Sequence, residues 1–234
     1  RRPPRSTLFP YTTLFRSFEV QDEGSQLVAE LAGAKAGMQV LDYCAGAGGK
    51  TLALSAAMDN HGQVFAHDAE KARLAPIFDR LRRSESRNVQ VVSKPSELAP
   101  LAGHMDIVLV DAPCTGSGTW RRRPDAKWRL TQKQLDARKA EQATILDMAK
   151  DFVKPGGLLV YITCSVFKEE NAAQTTAFRD RVPGFALLDH VALWRDRFPG
   201  HEVAARLDPA GGICLSPALS GTDGFYFCAM RRLG

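Results

Sequence analysis

The amino-acid sequence predicts an α/β fold, a doubly wound, mostly parallel sheet of seven strands with helices on both faces. Short apolar segments alternate with longer helical ones along the chain. Two of the apolar segments, MDIVLV at 105–110 and LLVYIT at 158–163, are almost free of polar residues, which is typical of strands buried on both faces of a parallel sheet. A glycine-rich loop at 45–49 comes after the first strand and opens a helix, at the edge where such sheets bind ligands.

The predicted elements alternate in chain order. The strands span 39–44, 63–67, 89–92, 105–110, 158–163, 185–188 and 224–230. The helices span 25–31, 50–58, 70–83, 131–153 and 168–181. Thr131 is predicted as the N-cap of the longest helix, and Pro155-Gly156-Gly157 as the segment that ends it.

Composition limits the class of protein. The 234 residues, 44% hydrophobic and 24% charged, suit one large globular domain. No apolar run approaches the roughly 18 residues of a membrane span, and the first residues make a poor secretory signal. Five cysteines with no CxxC spacing argue against a disulfide scaffold or a zinc ribbon. We therefore expect a cytoplasmic monomer without a membrane or metal partner.

The first 17 residues differ in character from the rest of the chain. They hold four arginines and no acid, so they account for +4 of the net charge of +5. The segment STLFP at 6–10 is echoed by TTLFR at 12–16, and no periodicity joins either segment to the rest of the chain. We interpret 1–17 as a non-native or disordered leader, with a natural basic tail as the alternative. The folded domain is then predicted at 18–234.

The loop at 44–50 is the first candidate binding site. Glycine lets the backbone approach a ligand, and a helix N-terminus offers N–H groups to a carboxylate or phosphate. The loop does not match a P-loop, because Cys44 stands where the first glycine is required, nor a full dinucleotide fingerprint, because Thr51 replaces the third glycine. Asp68 ends the next strand, 20 residues after Gly48, where an acid suits two ribose hydroxyls. A structural glycine turn with a surface aspartate is the alternative.

Two cysteines come directly after the two most apolar strands. Cys114 lies in DAPCTGSG at 111–118, and Cys164 lies in the segment TCS after the strand at 158–163. Neighbouring parallel strands would bring both to one crevice, where a thiolate is a strong nucleophile. For the other three cysteines we expect small buried apolar residues; these are Cys44, Cys214 and Cys228. One cysteine per loop without a nearby histidine pair argues against zinc.

A basic stretch at 120–139 lies after the first cysteine loop. It carries eight lysines and arginines against two aspartates, a net charge of +6, and two tryptophans. Phosphates are bound by arginine and lysine, and unstacked bases by aromatic faces. We favour RNA contact here, with a solvated helix start and two core tryptophans as the alternative.

Together these segments resemble the RNA cytosine-5 methyltransferase family, nearest the bacterial Sun-type ribosomal RNA enzymes. The resemblance runs in order from about Phe18 to Arg232. The matching segments are QDEGSQL (21–27), DYCAGAGGKT (42–51), DAPCTGSG (111–118), RRRPDAKW (121–128), QATIL (142–146), GGLLVYITCS (156–165), Glu170-Asn171 and GTDGFYFCAMRR (221–232).

The resemblance implies a Rossmann-like methyltransferase sheet, S-adenosyl-L-methionine as the cofactor and 5-methylcytosine in RNA, ribosomal RNA foremost, as the product. Asp68 would bind the ribose, and Asp111 would lie between cofactor and target base. Cys164 matches the family nucleophile, and Cys114 matches the second cysteine, which helps to release the product. The residues implied to hold the methionine end of the cofactor are Cys44, Ala45, Gly46, Ala47, Gly48, Gly49 and Lys50, and those expected to contact RNA are Arg121, Arg122, Arg123, Lys127 and Trp128.

The sequence departs from the family pattern in three places. Ala47 stands where proline is frequent. No acid comes after the third strand, where the sequence reads VSKP at 92–95, although the family usually has one near the adenine. The usual amino-terminal RNA-targeting domain is absent from the 234 residues.

The chemistry explains why these residue types are needed. Carbon 5 of cytosine becomes nucleophilic when a thiolate adds to carbon 6, and the proton on carbon 5 must later leave so that the cysteine can be eliminated. The base must also leave its stack to reach the pocket. The alternatives are a DNA-directed enzyme, a tRNA-directed enzyme, and a truncated, catalytically weak module that binds RNA or cofactor.

Overall fold

The computed structural model describes residues 19–201 and 206–234, so the predicted leader at 1–17 lies outside the described residues. Within these residues, nine strands form one mixed sheet in the order β3-β2-β1-β4-β5-β9-β8-β7, and β6 pairs with β9 beside β8. The strands are β1 Gln39–Asp42, β2 Gln63–His67, β3 Val89–Val92, β4 Met105–Asp111, β5 Val153–Thr163, β6 Phe185–Leu187, β7 Arg206–Leu207, β8 Ile213–Leu215 and β9 Phe225–Arg232.

The first five strands pair in parallel and the last four pair antiparallel. The predicted α/β fold with a parallel centre is therefore confirmed, but the predicted count of seven strands is wrong. The two missed strands, β7 and β8, are two and three residues long, too short for an alternating pattern to be recognised.

Helices cover both faces of the sheet. They are α1 Glu23–Leu31, α2 Gly49–Ala57, α3 Lys71–Leu74, α4 Ile77–Ser84, α5 Pro95–Leu98, α6 Ala126–Arg129, α7 Gln132–Ala149, α8 Ala172–Arg181, α9 His190–Arg197 and α10 Pro217–Ser220. The predicted N-cap Thr131 accepts a hydrogen bond from the Gln134 N–H, 3.3 Å away, and begins α7 as expected.

Two core clusters lie on opposite faces of the sheet. Tyr161 of β5 packs with α7 and α8 on one face, whereas its neighbours Val160 and Ile162 pack with α1, α2 and α9 on the other. This alternation is the period of two that a strand imposes, and burial of each large apolar side chain contributes roughly 1.5–3 kcal/mol. The central strands are thus held rigidly from both sides.

Three predicted boundaries need correction. The helix expected at 70–83 is divided into α3 and α4, because Pro76 has no N–H to continue it. Helix α7 ends at Ala149 and passes through a 3₁₀ turn into β5. Pro155-Gly156-Gly157 therefore does not end the helix but lies within β5, where Gly156 takes a positive φ of 77°. Helices α5, α6, α9 and α10 were not predicted. Within the described residues, no helix is both long and apolar enough to cross a membrane.

Candidate active site

The candidate site lies at the carboxyl ends of β1, β4 and β5, which are neighbours in the sheet. The chain reverses its direction of winding between β1 and β4, and ligands of α/β sheets bind in the crevice that such a reversal opens. The predicted glycine loop and the two predicted cysteine loops come directly after these three strands, so the fold brings them to one edge.

The glycine loop turns through two left-handed residues, Gly46 with φ 51° and Gly48 with φ 85°. A Cβ on Gly48 would lie 2.4 Å from Ile77 Cγ1, so helix α4 packs too closely for any side chain there. At Gly46 the nearest atom to such a Cβ is Arg73 Nη2 at 3.5 Å, which leaves space over the loop. Buried Asp68 braces the loop, since its carboxylate accepts the Gly46 N–H at 2.9 Å.

Asp42 lies beneath this loop at the end of β1. Its Oδ2 accepts a hydrogen bond from the Thr51 hydroxyl at 2.7 Å, whereas Oδ1 is buried without a hydrogen-bond partner among the described residues. Burial raises the pKa of the Asp42 carboxyl to about 7, opposed by the Thr51 hydrogen bond and reinforced by the charge of Asp111. A buried, incompletely paired carboxylate of this kind favours a cationic ligand.

The raised pKa of Asp42 predicts how the stability of the fold depends on pH. The folded chain holds the Asp42 proton more tightly than the unfolded chain does. The protonated Asp42 side chain therefore contributes most to the free energy of unfolding below pH ~3.9. That contribution, up to about 4 kcal/mol, is lost as the pH rises through about 7. Asp42→Asn should remove this part of the pH dependence in urea unfolding of the ligand-free protein between pH 5 and 7.5. Exposed Asp180→Asn is the control, and equal slopes in the two variants would contradict the prediction.

Lys50 links the glycine loop to the end of β4. Only 7% of its side chain is exposed, and Nζ lies 2.6 Å from Asp111 Oδ2 and 3.3 Å from Ser25 Oγ. Nζ also sits 5.3 Å from the centre of the Phe225 ring. The sequence placed Lys50 in the cofactor loop but did not predict its pairing with Asp111.

The two candidate cysteines meet as expected. Cys114 Sγ and Cys164 Sγ are 3.4 Å apart and both residues are half-buried. The hydrogen bond with Cys114 lowers the pKa of the Cys164 thiol, helped by the nearby Lys50 ammonium and opposed by burial and the Asp111 carboxylate. The same bond, together with burial, raises the pKa of the Cys114 thiol well above its usual range. The pair therefore holds one proton on Cys114 and favours a thiolate at Cys164.

A buried polar network supports the cysteine loops from behind. The Glu170 carboxylate is fully buried and accepts hydrogen bonds from Thr115, Gln142 and Ser165. Gln142 also donates to the Pro113 carbonyl at 2.9 Å. Loops after two different strands are thereby fixed to one carboxylate.

The predicted basic stretch divides into anchored and exposed residues. Arg121 and Arg122 both pair with the buried carboxylate of Asp223, with Nη2···Oδ distances of 3.0 and 2.5 Å. Arg123 is exposed and forms no ion pair with the described residues. Trp128 is 83% exposed, and Lys127 Nζ lies 5.3 Å from the centre of its ring. Trp128 is thus not a core tryptophan, and the outer part of the stretch presents charge and an aromatic face to solvent.

Several site residues were missed by sequence reasoning. The orphaned Oδ1 of Asp42, the buried Glu170 and the Asp223 anchor depend on tertiary packing, although all three residues stand within segments that carry the family resemblance. Their sequence signal was a polar residue within such a segment. Among the described residues no cluster of three His, Cys, Asp or Glu side chains could hold a metal ion, and all five cysteines are free.

Solved structures with this architecture include two from Pyrococcus horikoshii. One, NSun6 with SFG, an S-adenosylmethionine analogue, aligns with a TM-score of 0.79 and 26% identity over 99% of this chain and 57% of that one. The other, a methyltransferase homolog protein, aligns with a TM-score of 0.73 and 29% identity over 92% and 68%. The fold and the loops at its switch point are therefore those of the Rossmann-like methyltransferase fold.

The family is established by the sequence comparisons. Residues 30–231 match the family model described as 16S rRNA methyltransferase RsmB/F, and the chain belongs to that family. It is 36% identical to a probable ribosomal RNA small subunit methyltransferase B of Bacillus subtilis, over 95% of this chain and 50% of that protein. It is 30% identical to methyltransferase F of Aeromonas salmonicida, over 97% and 44%. The chain thus spans about half the length of the curated relatives it matches.

Proposed function

We propose that this chain is the catalytic domain of a ribosomal RNA methyltransferase that transfers the methyl group of S-adenosylmethionine to carbon 5 of a cytosine through a covalent Cys164 adduct. The observation that carries the proposal is the cysteine pair at the ends of β4 and β5, with sulfurs 3.4 Å apart beside the Lys50–Asp111 ion pair. This chemistry needs one thiolate and a second group for release, and the pair supplies both.

The residues around the glycine loop fit the proposed cofactor. S-adenosylmethionine carries a sulfonium and an ammonium group, and the carboxylates of Asp42, Asp68 and Asp111 surround the loop. Asp42 Oδ1 lacks a partner among the described residues, and the space over Gly46 would admit a ligand. We assign the methionine end to the loop at 44–50 and the ribose to Asp68. When bound, the cofactor supplies an electrophilic methyl group.

The chain's own residues then have separate tasks. Cys164 supplies the thiolate for carbon 6 of the base. Asp111, one-third exposed and held by Lys50, would accept a hydrogen bond from the ring edge, and its exposure supports this role. Cys114 retains a proton beside Cys164 and participates in release. Relatives named as methyltransferases of small-subunit ribosomal RNA support ribosomal RNA as the substrate.

The test is methyl transfer by the full chain. Unmodified 16S ribosomal RNA and tRNA are incubated separately with labelled S-adenosylmethionine, and digested nucleosides are identified by mass spectrometry. We expect 5-methylcytidine from the ribosomal RNA. Label on another atom would overturn the cytosine-5 assignment, label on tRNA alone would overturn the substrate, and binding of cofactor without transfer to either RNA would favour the weak binding module.

RNA contact is expected from the exposed part of the basic stretch. Trp128→Ala should weaken binding of a single-stranded RNA by about 1–3 kcal/mol if a base stacks on the ring, with little change in salt dependence. Replacing Arg123 and Lys127 with alanine should instead flatten the plot of log affinity against log salt, by roughly 0.7 for each phosphate contact. Lys35→Ala, at an exposed residue shortly before the amino end of β1, is the control. Equal effects of all three changes would contradict a localised interface.

A further inference from the structure

The buried Glu170 carboxylate has no task in the chemistry described above. It ends a 3₁₀ turn, Lys168–Glu170, shortly after the Cys164 segment, and its side chain is completely buried. Among the described residues no lysine, arginine or histidine forms an ion pair with it. A carboxylate without a counter-ion is costly to bury unless hydrogen bonds compensate, so its retention calls for a reason.

Four donors converge on this carboxylate, and they divide between its two oxygens. Oε1 accepts the Thr115 backbone N–H at 2.8 Å and the Gln142 side-chain amide at 3.1 Å. Oε2 accepts the Thr115 and Ser165 hydroxyls, both at 2.5 Å. Thr115 is the residue after Cys114 and Ser165 is the residue after Cys164, so a single carboxylate fixes the neighbour of each candidate cysteine. Glu170 thereby sets how closely the two thiols approach.

The charges around the cysteine pair are unevenly distributed. Lys50 and Asp111 face Cys164, where their opposite charges largely offset each other, and Arg122 lies further out on the same side. The Glu170 carboxylate accepts two hydrogen bonds from Thr115, next to Cys114, and one from Ser165, next to Cys164, while the Tyr161 hydroxyl donates to the Glu170 backbone carbonyl. Arg129 and Arg138 line the cavity of ≈ 210 Å³ next to Cys114, but each is paired with an acid, Asp125 and Glu141 respectively. Among the described residues the Glu170 carboxylate is therefore the charge beside the pair that has no ion-pair partner, and its two hydrogen bonds to Thr115 tie it more closely to the Cys114 loop.

We propose that Glu170 is a positioning residue that keeps the shared proton of the cysteine pair on Cys114 and so makes Cys164 the thiolate. A negative charge beside the Cys114 loop disfavours a second negative charge on the Cys114 sulfur, and the hydrogen bonds to Thr115 keep that loop next to the carboxylate. The raised pKa of the Cys114 thiol, to which the Glu170 charge contributes after the Cys164 bond and burial, agrees with this geometry. The role in catalysis rests on the proposed function, whereas the division of the proton does not.

Glu170→Gln is a suitable test because the network can accommodate an amide. The glutamine oxygen can take the place of Oε1 and accept both N–H donors. Its NH₂ group can take the place of Oε2, since the two hydroxyls there can rotate from donating to accepting. The substitution thus removes the charge and leaves the shape. Glu169→Gln, which removes a charge from the exposed neighbouring residue, is the matched control.

The measurement is the rate of alkylation of each cysteine by iodoacetamide as a function of pH, with the labelled peptides quantified by mass spectrometry. In the wild type, Cys164 should react first and titrate at the lower pH. In Glu170→Gln the ratio of Cys114 to Cys164 labelling should rise about tenfold, the equivalent of one pKa unit, and the two titrations should approach each other. Glu169→Gln should behave as the wild type does.

The outcomes are separable. An unchanged ratio in a folded Glu170→Gln protein would overturn the proposal and leave Glu170 a structural residue. If that variant does not fold, labelling of the wild type still tests the proposal. Faster labelling of Cys114 than of Cys164 between pH 6 and 8 would overturn the proposal as well. Absence of 5-methylcytidine in the wild-type reaction would refute the proposed function without altering the alkylation result.

Discussion

Cys164→Ala should abolish methyl transfer to RNA, a loss of roughly 10³-fold or more, because Cys164 supplies the attacking thiolate in the proposed mechanism. The covalent protein–RNA adduct should disappear with it. Cofactor affinity should be retained, since the glycine loop and its Asp68 brace do not depend on this sulfur. The measurement is methyl transfer together with a denaturing gel of labelled RNA.

Cys114→Ala should give a different result from the same gel. Attack by Cys164 remains possible, but release of the product is slowed, so a denaturant-resistant adduct should accumulate. Cys214→Ala is the control, because this half-buried cysteine lies in β8. Accumulation of adduct by Cys164→Ala and its loss in Cys114→Ala would show that the roles are reversed. Unchanged methylation in both variants would show that neither thiol takes part.

Gly118→Ala should have a large effect on stability. A Cβ at this position would lie 2.1 Å from the Gly224 carbonyl oxygen, so the two backbones would have to separate. Separation would break the hydrogen bond from the Gly224 N–H to Gly118 O, and would disturb the bond from the Gly118 N–H to Cys164 O. We expect a loss of about 3 kcal/mol in the free energy of unfolding, or roughly 10 °C in Tm.

The control for this substitution is Gly184→Ala. No atom lies within 4 Å of a Cβ built on Gly184, and its φ is not positive, so its effect should remain within about 0.5 kcal/mol. Urea unfolding of both variants provides the comparison. Similar stability of the two variants would mean that the Gly118 and Gly224 backbones can move apart without a loss of stability.

The sequence predicted the parallel half of the sheet well, because β4 and β5 are buried on both faces and are therefore almost uniformly apolar. It also predicted that Cys114 and Cys164 meet, since the ends of neighbouring parallel strands share an edge. The antiparallel half was harder to predict. Its edge strand β7 is only two exposed residues, Arg206–Leu207, whose local pattern is indistinguishable from a loop.

The supporting residues of the site were less accessible to prediction. The pairing of Lys50 with Asp111 joins residues 61 positions apart, and nothing local to a helix start indicates which way a lysine points. Pro76 shows the reverse case, where a local signal was present and a single helix was nevertheless predicted across it. Glu170 is fully buried although glutamate is ordinarily exposed, so only its tertiary contacts reveal it.

The position of β9 has a consequence for how the protein is made. This strand lies between β5 and β8 in the sheet. In the segment just before it, Asp223 pairs with the arginines and Gly224 donates a backbone hydrogen bond to Gly118. Phe225, its first residue, contacts Lys50. These partners all precede residues 223–225 along the chain. On the ribosome, β1 to β5 can emerge and pair while the nascent chain still lacks the last side of the site, so catalytic competence arises only after residues 223–232 have left the exit tunnel.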